Sequence, residues 1–273
     1  METGQFITFE GGEGAGKTTQ AKLLCEALEG AGIETVLTRE PGGTFGAESI
    51  RDLVLDGTSE RWTGRTDLLL MYAARLDHVE KLIKPALARG AWVVSDRFSD
   101  SSMAYQGYAR ELGKNRVCGV HKAVMDGFGP DLTVLFDIDP IIAQKRVETR
   151  GEDLSRFDAE SLDFHKTLRS AFLEIAKGDE ERIAVIEADE SPQAVHTRIL
   201  HAVTKKYPEL AGRLASVTAK AWRAQRKLKR IQRPNAPKAV CIPARFTTLL
   251  AIAMRKVNSC KRKNLDACIM RGC

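Results

Sequence analysis

The chain has 273 residues, 43% of them hydrophobic and 29% charged, with 22 Gly and only 10 Phe, 4 Tyr and 3 Trp. That composition suits a globular chain long enough for one large α/β domain. It excludes collagen, low-complexity sequence and a multispan membrane protein, since no apolar run approaches about 18 residues. The net charge of +6 averages two unlike parts: residues 204–273 hold 18 Lys and Arg against two acids, Glu209 and Asp266, for +16, which leaves −10 on residues 1–203. An asymmetry of this size marks two segments with different jobs. Met1 to Gln5 carries neither a basic n-region nor an apolar core, so no secretory signal is expected.

In chain order, Phe6 to Phe9 reads as a strand running into a glycine loop, and Lys17 to Leu28 as the helix after it. Glu34 to Thr38 is a second strand, stopped by Pro41-Gly42-Gly43. Apolar residues three and four apart predict helices over Ala47 to Leu55 and Asp67 to Ala88. Ala91 to Ser95 and Leu132 to Phe136 read as further strands. Pro140 opens a helix at a first-turn position. Arg182 to Ile186 is a fifth strand, and Ser191-Pro192 starts a last helix to about Val203. Strands separated by helices require a parallel sheet covered on both faces. The expected organisation is therefore an α/β domain over residues 1–205 and a basic C-terminal extension over 206–273. Leu214 to Ile231 has the pattern of a basic helix, and prolines 234, 237 and 243 then break the chain.

Gly11-Gly12-Glu13-Gly14-Ala15-Gly16-Lys17-Thr18 fits G-x-x-x-x-G-K-[ST] and lies between a strand and a helix, the context the chemistry needs. Glycines let backbone N–H groups turn toward phosphate oxygens at a helix N-terminus. Lys17 is placed to bridge the β- and γ-phosphates, and the Thr18 hydroxyl to ligate Mg²⁺. The expected ATP contacts are Gly11 to Thr19. Arg39 and Arg97 fall at or beyond strand ends, where doubly wound sheets bind ligands, with Arg75 on the helix between them. Planar guanidinium forks there suit an acceptor that already bears phosphate; the competing reading of any one of them is a solvated surface charge. Arg146, Arg150 and Arg156 flank the charged, glycine-containing stretch 151–155. That stretch reads either as a lid closing over transferring phosphates or as a helix end whose bases offset its dipole.

Val94-Ser95-Asp96-Arg97-Phe98-Ser99-Asp100-Ser101-Ser102-Met103-Ala104-Tyr105-Gln106 resembles the signature of thymidylate kinases. The phosphate loop from Phe9 to Thr19, Thr38-Arg39-Glu40-Pro41-Gly42-Gly43-Thr44 and Tyr72-Ala73-Ala74-Arg75 resemble the bacterial form. The likeness runs in order from about Gln5 to Val203. It implies a three-layer P-loop kinase fold with a five-stranded parallel sheet, usually a cytoplasmic homodimer, that transfers phosphate from ATP-Mg²⁺ to dTMP. Under it, Arg39 and Arg97 would hold the dTMP phosphate, Arg75 the thymine edge, and Ser101 or Ser102 the base. Gln106 belongs to the same dTMP set. Tyr105 would crowd the sugar 2′ position, and Glu13 would place the acceptor sugar and metal. Asp96 would support the metal or the phosphate-binding arginine. Position 14 is Gly rather than Arg, as in the bacterial type, where lid arginines, here Arg150 and Arg156, supply charge. Met71 departs from the pattern: a Phe stacking on thymine is expected one turn before Arg75.

The rival readings are a kinase of another nucleoside monophosphate and a P-loop regulatory protein with a nucleic-acid-binding tail. The tail's charge suits nucleic acid or an anionic surface. Against this stand its few aromatic platforms, with one Trp, one Tyr and one Phe in residues 204–273. The favoured reading of the tail is an extension without structure of its own. Its cysteines, 241, 260, 268 and 273, lack the C-x-x-C spacing of a zinc module.

Overall fold

The computed structural model describes residues 3–58, 60–150 and 156–217, and the side chain of Arg150 is not among what it describes. The readings placed on Leu214 to Ile231 beyond residue 217, on the later prolines and on the four tail cysteines lie outside the described residues. β1 (Phe6–Gly11) leads through the phosphate loop into α1 (Lys17–Gly30). β2 (Thr35–Arg39), α2 (Phe45–Leu55) and α3 (Gly64–His78) follow. Where the apolar spacing predicts one helix over Asp67 to Ala88, a π-helical turn at Val79–Ile83 separates α3 from α4 (Lys84–Ala88). The cause is Pro85, which has no N–H to give the preceding turn and sits in the first turn of α4 instead.

β3 (Trp92–Asp96) is followed by α5 (Ser99–Ser102), which runs into a second π-helical stretch at Met103–Ala109. Then come α6 (Lys114–Met125), β4 (Leu132–Asp137), α7 (Pro140–Arg150), α8 (Leu162–Lys177), β5 (Ile183–Glu187) and α9 (Pro192–Lys206).

The five strands form one sheet in the order β2-β3-β1-β4-β5, and every neighbouring pair is parallel. Successive side chains of a strand point to opposite faces, and the strands here are apolar on both. Ile7 and Phe9 of β1, Val94 of β3 and Val134 of β4 pack with α1 and α9 on one face. Phe6 and Val93 pack with α3, α4 and α6 on the other, where Leu135 joins α8. This is the three-layer α/β architecture of P-loop kinases. Packing continues past residue 205. Tyr207, Leu210 and Leu214 are buried in the α1/α9 core, and the Tyr207 ring meets Trp92 edge-on at 4.7 Å.

Candidate active site

The site forms at the C-terminal ends of β1, β3 and β2, three neighbouring strands running from the centre of the sheet to one edge. Gly11 closes β1 at φ +133°, and a Cβ there would lie 2.6 Å from the Phe136 carbonyl oxygen, so only glycine lets the loop leave the sheet beside β4. Lys17 opens α1 with its side chain folded back over the loop. Its Nζ donates to Gly12 O at 2.7 Å and Gly11 O at 3.2 Å. Burial lowers its pKa, as does Arg97, while Asp96 and Glu13 oppose them. Thr18 Oγ1 donates to Asp96 Oδ2 at 2.6 Å, which puts a hydroxyl and a carboxylate side by side at the loop.

Arg97 binds the loop to β3. Its backbone is left-handed, φ +76°, a conformation that costs a non-glycine residue and persists where surrounding contacts hold it. Those contacts are present. Its N–H donates to Phe9 O, Nη1 to Gly11 O at 2.9 Å and Ser101 Oγ at 3.1 Å, and Nη2 to Glu13 Oε2 at 2.6 Å. The other Glu13 oxygen accepts from Tyr105 Oη at 2.7 Å. Burial works to raise the Glu13 carboxyl, but Arg97, Lys17 and the Tyr105 hydroxyl outweigh it and hold the pKa at about 2. Tyr105 itself is pushed up by burial and by that carboxylate, despite Arg97.

These groups open onto a cleft of about 690 Å³, large enough for nucleotide-sized ligands. Glu13, Gly14, Gly16, Lys17, Thr18, Thr19, Arg39, Met71, Asp96, Arg97, Ser101 and Tyr105, all expected from the sequence, line it. Arg39 is half-exposed, and its pair with Glu48 at 2.9 Å is a surface contact that a ligand readily replaces. Gly11 and Gly12 line a smaller, mainly apolar cavity of about 90 Å³ behind the loop, and Ala15 is buried.

Beyond the phosphate loop, four of the expected residues whose side chains are described are not on the cleft surface. Arg75, Ser102 and Gln106 are buried beneath it, with Arg75 donating from Nε to Glu40, from Nη1 to Ser102 Oγ and from Nη2 to Phe98 O. Gln106 donates to Asp67 Oδ2 at 2.9 Å, while its own carbonyl oxygen is buried with no partner. Arg156 is also buried, paired to the other Asp67 oxygen with its guanidinium over the Phe157 ring. The expectation that Arg156 faces the transferring phosphates therefore differs from its place here, because Asp67 neutralises it inside the protein.

Conversely, Arg51 of α2 lines the cleft and was not singled out by the sequence. Its Nη1 donates to Pro41 O at 2.7 Å, and burial and neighbouring Arg39 lower its pKa. The signal was there: Arg51 lies three residues after Glu48, the partner of Arg39, on one face of α2. Phe157 and Asp158 also reach the cleft.

A family model described as thymidylate kinase matches residues 9–199. A thymidylate kinase of Caulobacter vibrioides is 45% identical over 206 residues, covering 76% of this chain and 99% of that protein. One from Chromohalobacter salexigens is 47% identical over 207 residues, covering 76% and 98%. The crystal structure of thymidylate kinase from Ehrlichia chaffeensis superposes with a TM-score of 0.61 at 33% identity, covering 74% of this chain and 99% of that one. The chain belongs to the thymidylate kinase family. It is thus a nucleoside monophosphate kinase that phosphorylates dTMP to dTDP at the expense of ATP.

Proposed function

We propose that the cleft holds both nucleotides with their phosphates meeting between Lys17 and Arg97. One observation carries this reading. Lys17 and three arginines from three separate segments, Arg39, Arg51 and Arg97, converge on one cavity that Met71, Tyr105 and Phe157 also line. A simple nucleotide hydrolase has no use for the second set of cations. An acceptor with its own phosphate dianion does.

In this reading the loop backbone and Lys17 take the β- and γ-phosphates of ATP. Arg39, Arg51 and Arg97 hold the dTMP phosphate so that one of its oxygens lies in line with the γ-phosphorus. That oxygen bonds to phosphorus as the bond to the β–γ bridging oxygen breaks, and the pair of that bond leaves on ADP. Such transfers proceed with little help beyond positioning and charge neutralisation, so fixed cations are the appropriate equipment. Glu13 stays ionised and holds Arg97 and Tyr105 in place, and the Tyr105 ring then faces the acceptor sugar. Arg75, Ser102 and Gln106 lie one layer below and are placed to meet the thymine edge once it displaces their present partners. Arg150 remains the candidate for charge from the lid side.

Mg²⁺ fits the Thr18–Asp96 pair, two hard oxygen donors in hydrogen-bond contact at the phosphate loop. Among the described residues no three His, Cys, Asp or Glu side chains group as a metal site. When bound, the ion neutralises charge on the β- and γ-phosphates. A homodimer is supported by apolar side chains left in solvent on α2 and α3: Phe45 is 94% exposed and Leu69 60%. Among the described residues no helix is long and apolar enough to cross a membrane. A cytoplasmic location follows from the need for ATP and dTMP in one pool. ADP release measured with ATP-Mg²⁺ and a panel of nucleoside monophosphates tests the reading. A strong preference for dTMP is expected, and equal rates with GMP or AMP would overturn it.

A further inference from the structure

His78 ends α3, three residues after Arg75 and seven after Met71, on the face turned toward the cleft. It is fully buried and bonded at both ring nitrogens: Nε2 lies 2.7 Å from Thr38 Oγ1 and Nδ1 3.1 Å from Glu40 Oε1. The other Glu40 oxygen takes Arg75 Nε at 2.7 Å. Space for this chain is reserved by Gly43, where a Cβ would fall 2.5 Å from His78 Nε2 and 2.6 Å from Thr38 Oγ1.

An arginine and a carboxylate frequently meet through two parallel hydrogen bonds, as Arg169 and Asp137 do. Here Glu40 is paired as a carboxylate and has no proton to give, so His78 Nδ1 is the donor and occupies Oε1. Arg75 is left a single bond through Nε. Both terminal nitrogens therefore point away from Glu40, Nη1 to Ser102 Oγ at 3.0 Å and Nη2 to Phe98 O at 2.9 Å, each with a second N–H to spare. The Tyr72 and Phe98 rings hold the guanidinium at 4.6 and 5.1 Å. Without a donor at Oε1, the guanidinium is free to turn into the two-bond pairing through Nε and Nη2, which draws Nη2 off Phe98 O and carries Nη1 away from Ser102 Oγ. A buried Arg–Glu pair contributes little net stability once desolvation is counted. What His78 adds is direction.

We infer that His78 is a positioning residue for the acceptor base, acting through Glu40 to aim Arg75. This rests on the proposal that Arg75 meets the thymine edge. No contact between His78 and substrate is involved, and Thr38 and Gly43 serve the same device by fixing the imidazole.

The test is steady-state kinetics on the full chain, with thermal midpoints recorded for each variant. His78→Leu removes the donor. It is expected to raise the KM for dTMP about 10-fold or more, the scale of a lost buried polar contact, with the KM for ATP unchanged and kcat within about threefold. His78→Asn, whose side-chain amide offers an N–H where Nδ1 lies, is expected to recover the dTMP KM to within about threefold of the original. Arg75→Lys separates the two layers of the argument. If it leaves the dTMP KM unchanged, the role of Arg75 fails and the inference falls with it. If it raises the dTMP KM while His78→Leu does not, Arg75 keeps its role and the inference alone is overturned. It is likewise overturned if His78→Leu and His78→Asn impair both substrates equally, in step with their thermal midpoints. That pattern would mark a packing residue and nothing more.

Discussion

Glu10 and Glu13 stand three residues apart on the same strand-to-loop segment and titrate in opposite senses. Glu10 is fully buried behind Arg97, accepting from Phe98 N at 2.8 Å, from Ser101 N at 3.2 Å and from Ser101 Oγ at 2.5 Å. Burial, then the nearby Asp100, push its pKa up to about 7 against the pull of Arg97. In an unfolded chain the same carboxyl releases its proton near 4.5. The folded state therefore binds the extra proton, and the stability Glu10 contributes is complete below pH 4.5 and is lost as pH rises through 7. Glu13, held at about 2, does the reverse: its contribution is complete above 4.5 and is lost as pH falls toward 2. Glu10→Gln is accordingly expected to gain stability relative to the original chain between pH 5 and pH 8. Thermal midpoints at those two pH values check this, and a constant difference would mean that Glu10 does not titrate there. A second residue-scale prediction concerns Met71, which lines the cleft one turn before Arg75. Met71→Phe supplies a flat ring for the base. It is expected to tighten dTMP binding by about 3–10-fold, the range of an added aromatic contact, as read by calorimetric titration.

At the scale of elements, what could be read in advance was what local pattern decides. The strand–glycine loop–helix unit, the five strands and the Pro140 and Ser191-Pro192 helix starts are written in hydrophobic runs and turn residues, and they fold to within a few residues of where those signals place them. α8 was missed although Ser161 caps it, accepting from Phe164 N, and Phe164, Leu168 and Phe172 recur at four-residue spacing. The charged stretch before it drew attention to a lid instead. The π-helical stretch carrying Tyr105 and Gln106 continues directly from α5, and no local signal announces it. The same holds for the site. Residue types and order announced the cations, but whether Arg75 and Arg156 face the cleft or a buried carboxylate depends on Glu40 and Asp67 arriving from other elements. The segment after α9 is a further case, since Leu214 reads as the start of a basic helix within the tail yet is 1% exposed. Leu214→Ala is expected to cost about 2–5 kcal/mol, the range for truncating a buried leucine, as measured by urea denaturation. A loss under 0.5 kcal/mol, the scale of an ordinary surface substitution, would show that this packing is dispensable.

Across the whole molecule, the positive net charge says little about the enzyme, because the +16 of residues 204–273 masks a −10 domain with its own cationic cleft. A chain ended after Val217 retains the packed Tyr207, Leu210 and Leu214 and loses most of that charge. Its kcat/KM for dTMP is expected to stay within about twofold of the full chain's, since the cations that the proposed site uses, Lys17, Arg39, Arg51 and Arg97, all precede it. A tenfold loss would give the tail a catalytic role. The strand order has a further consequence, in time rather than space. β1 is made first, yet its two neighbours in the sheet begin at Trp92 and Leu132, and Phe6 N–H closes onto Asp131 across 125 residues. At a synthesis rate of about 5–20 residues per second, that interval is on the order of ten seconds. Until β3 emerges, β1, with the phosphate loop attached, has neither of its sheet neighbours to pair with, and until β4 emerges it has only one. The nucleotide site is thus encoded early and assembled late, and the nascent chain is most exposed to misassociation before it has anything with which to bind ATP.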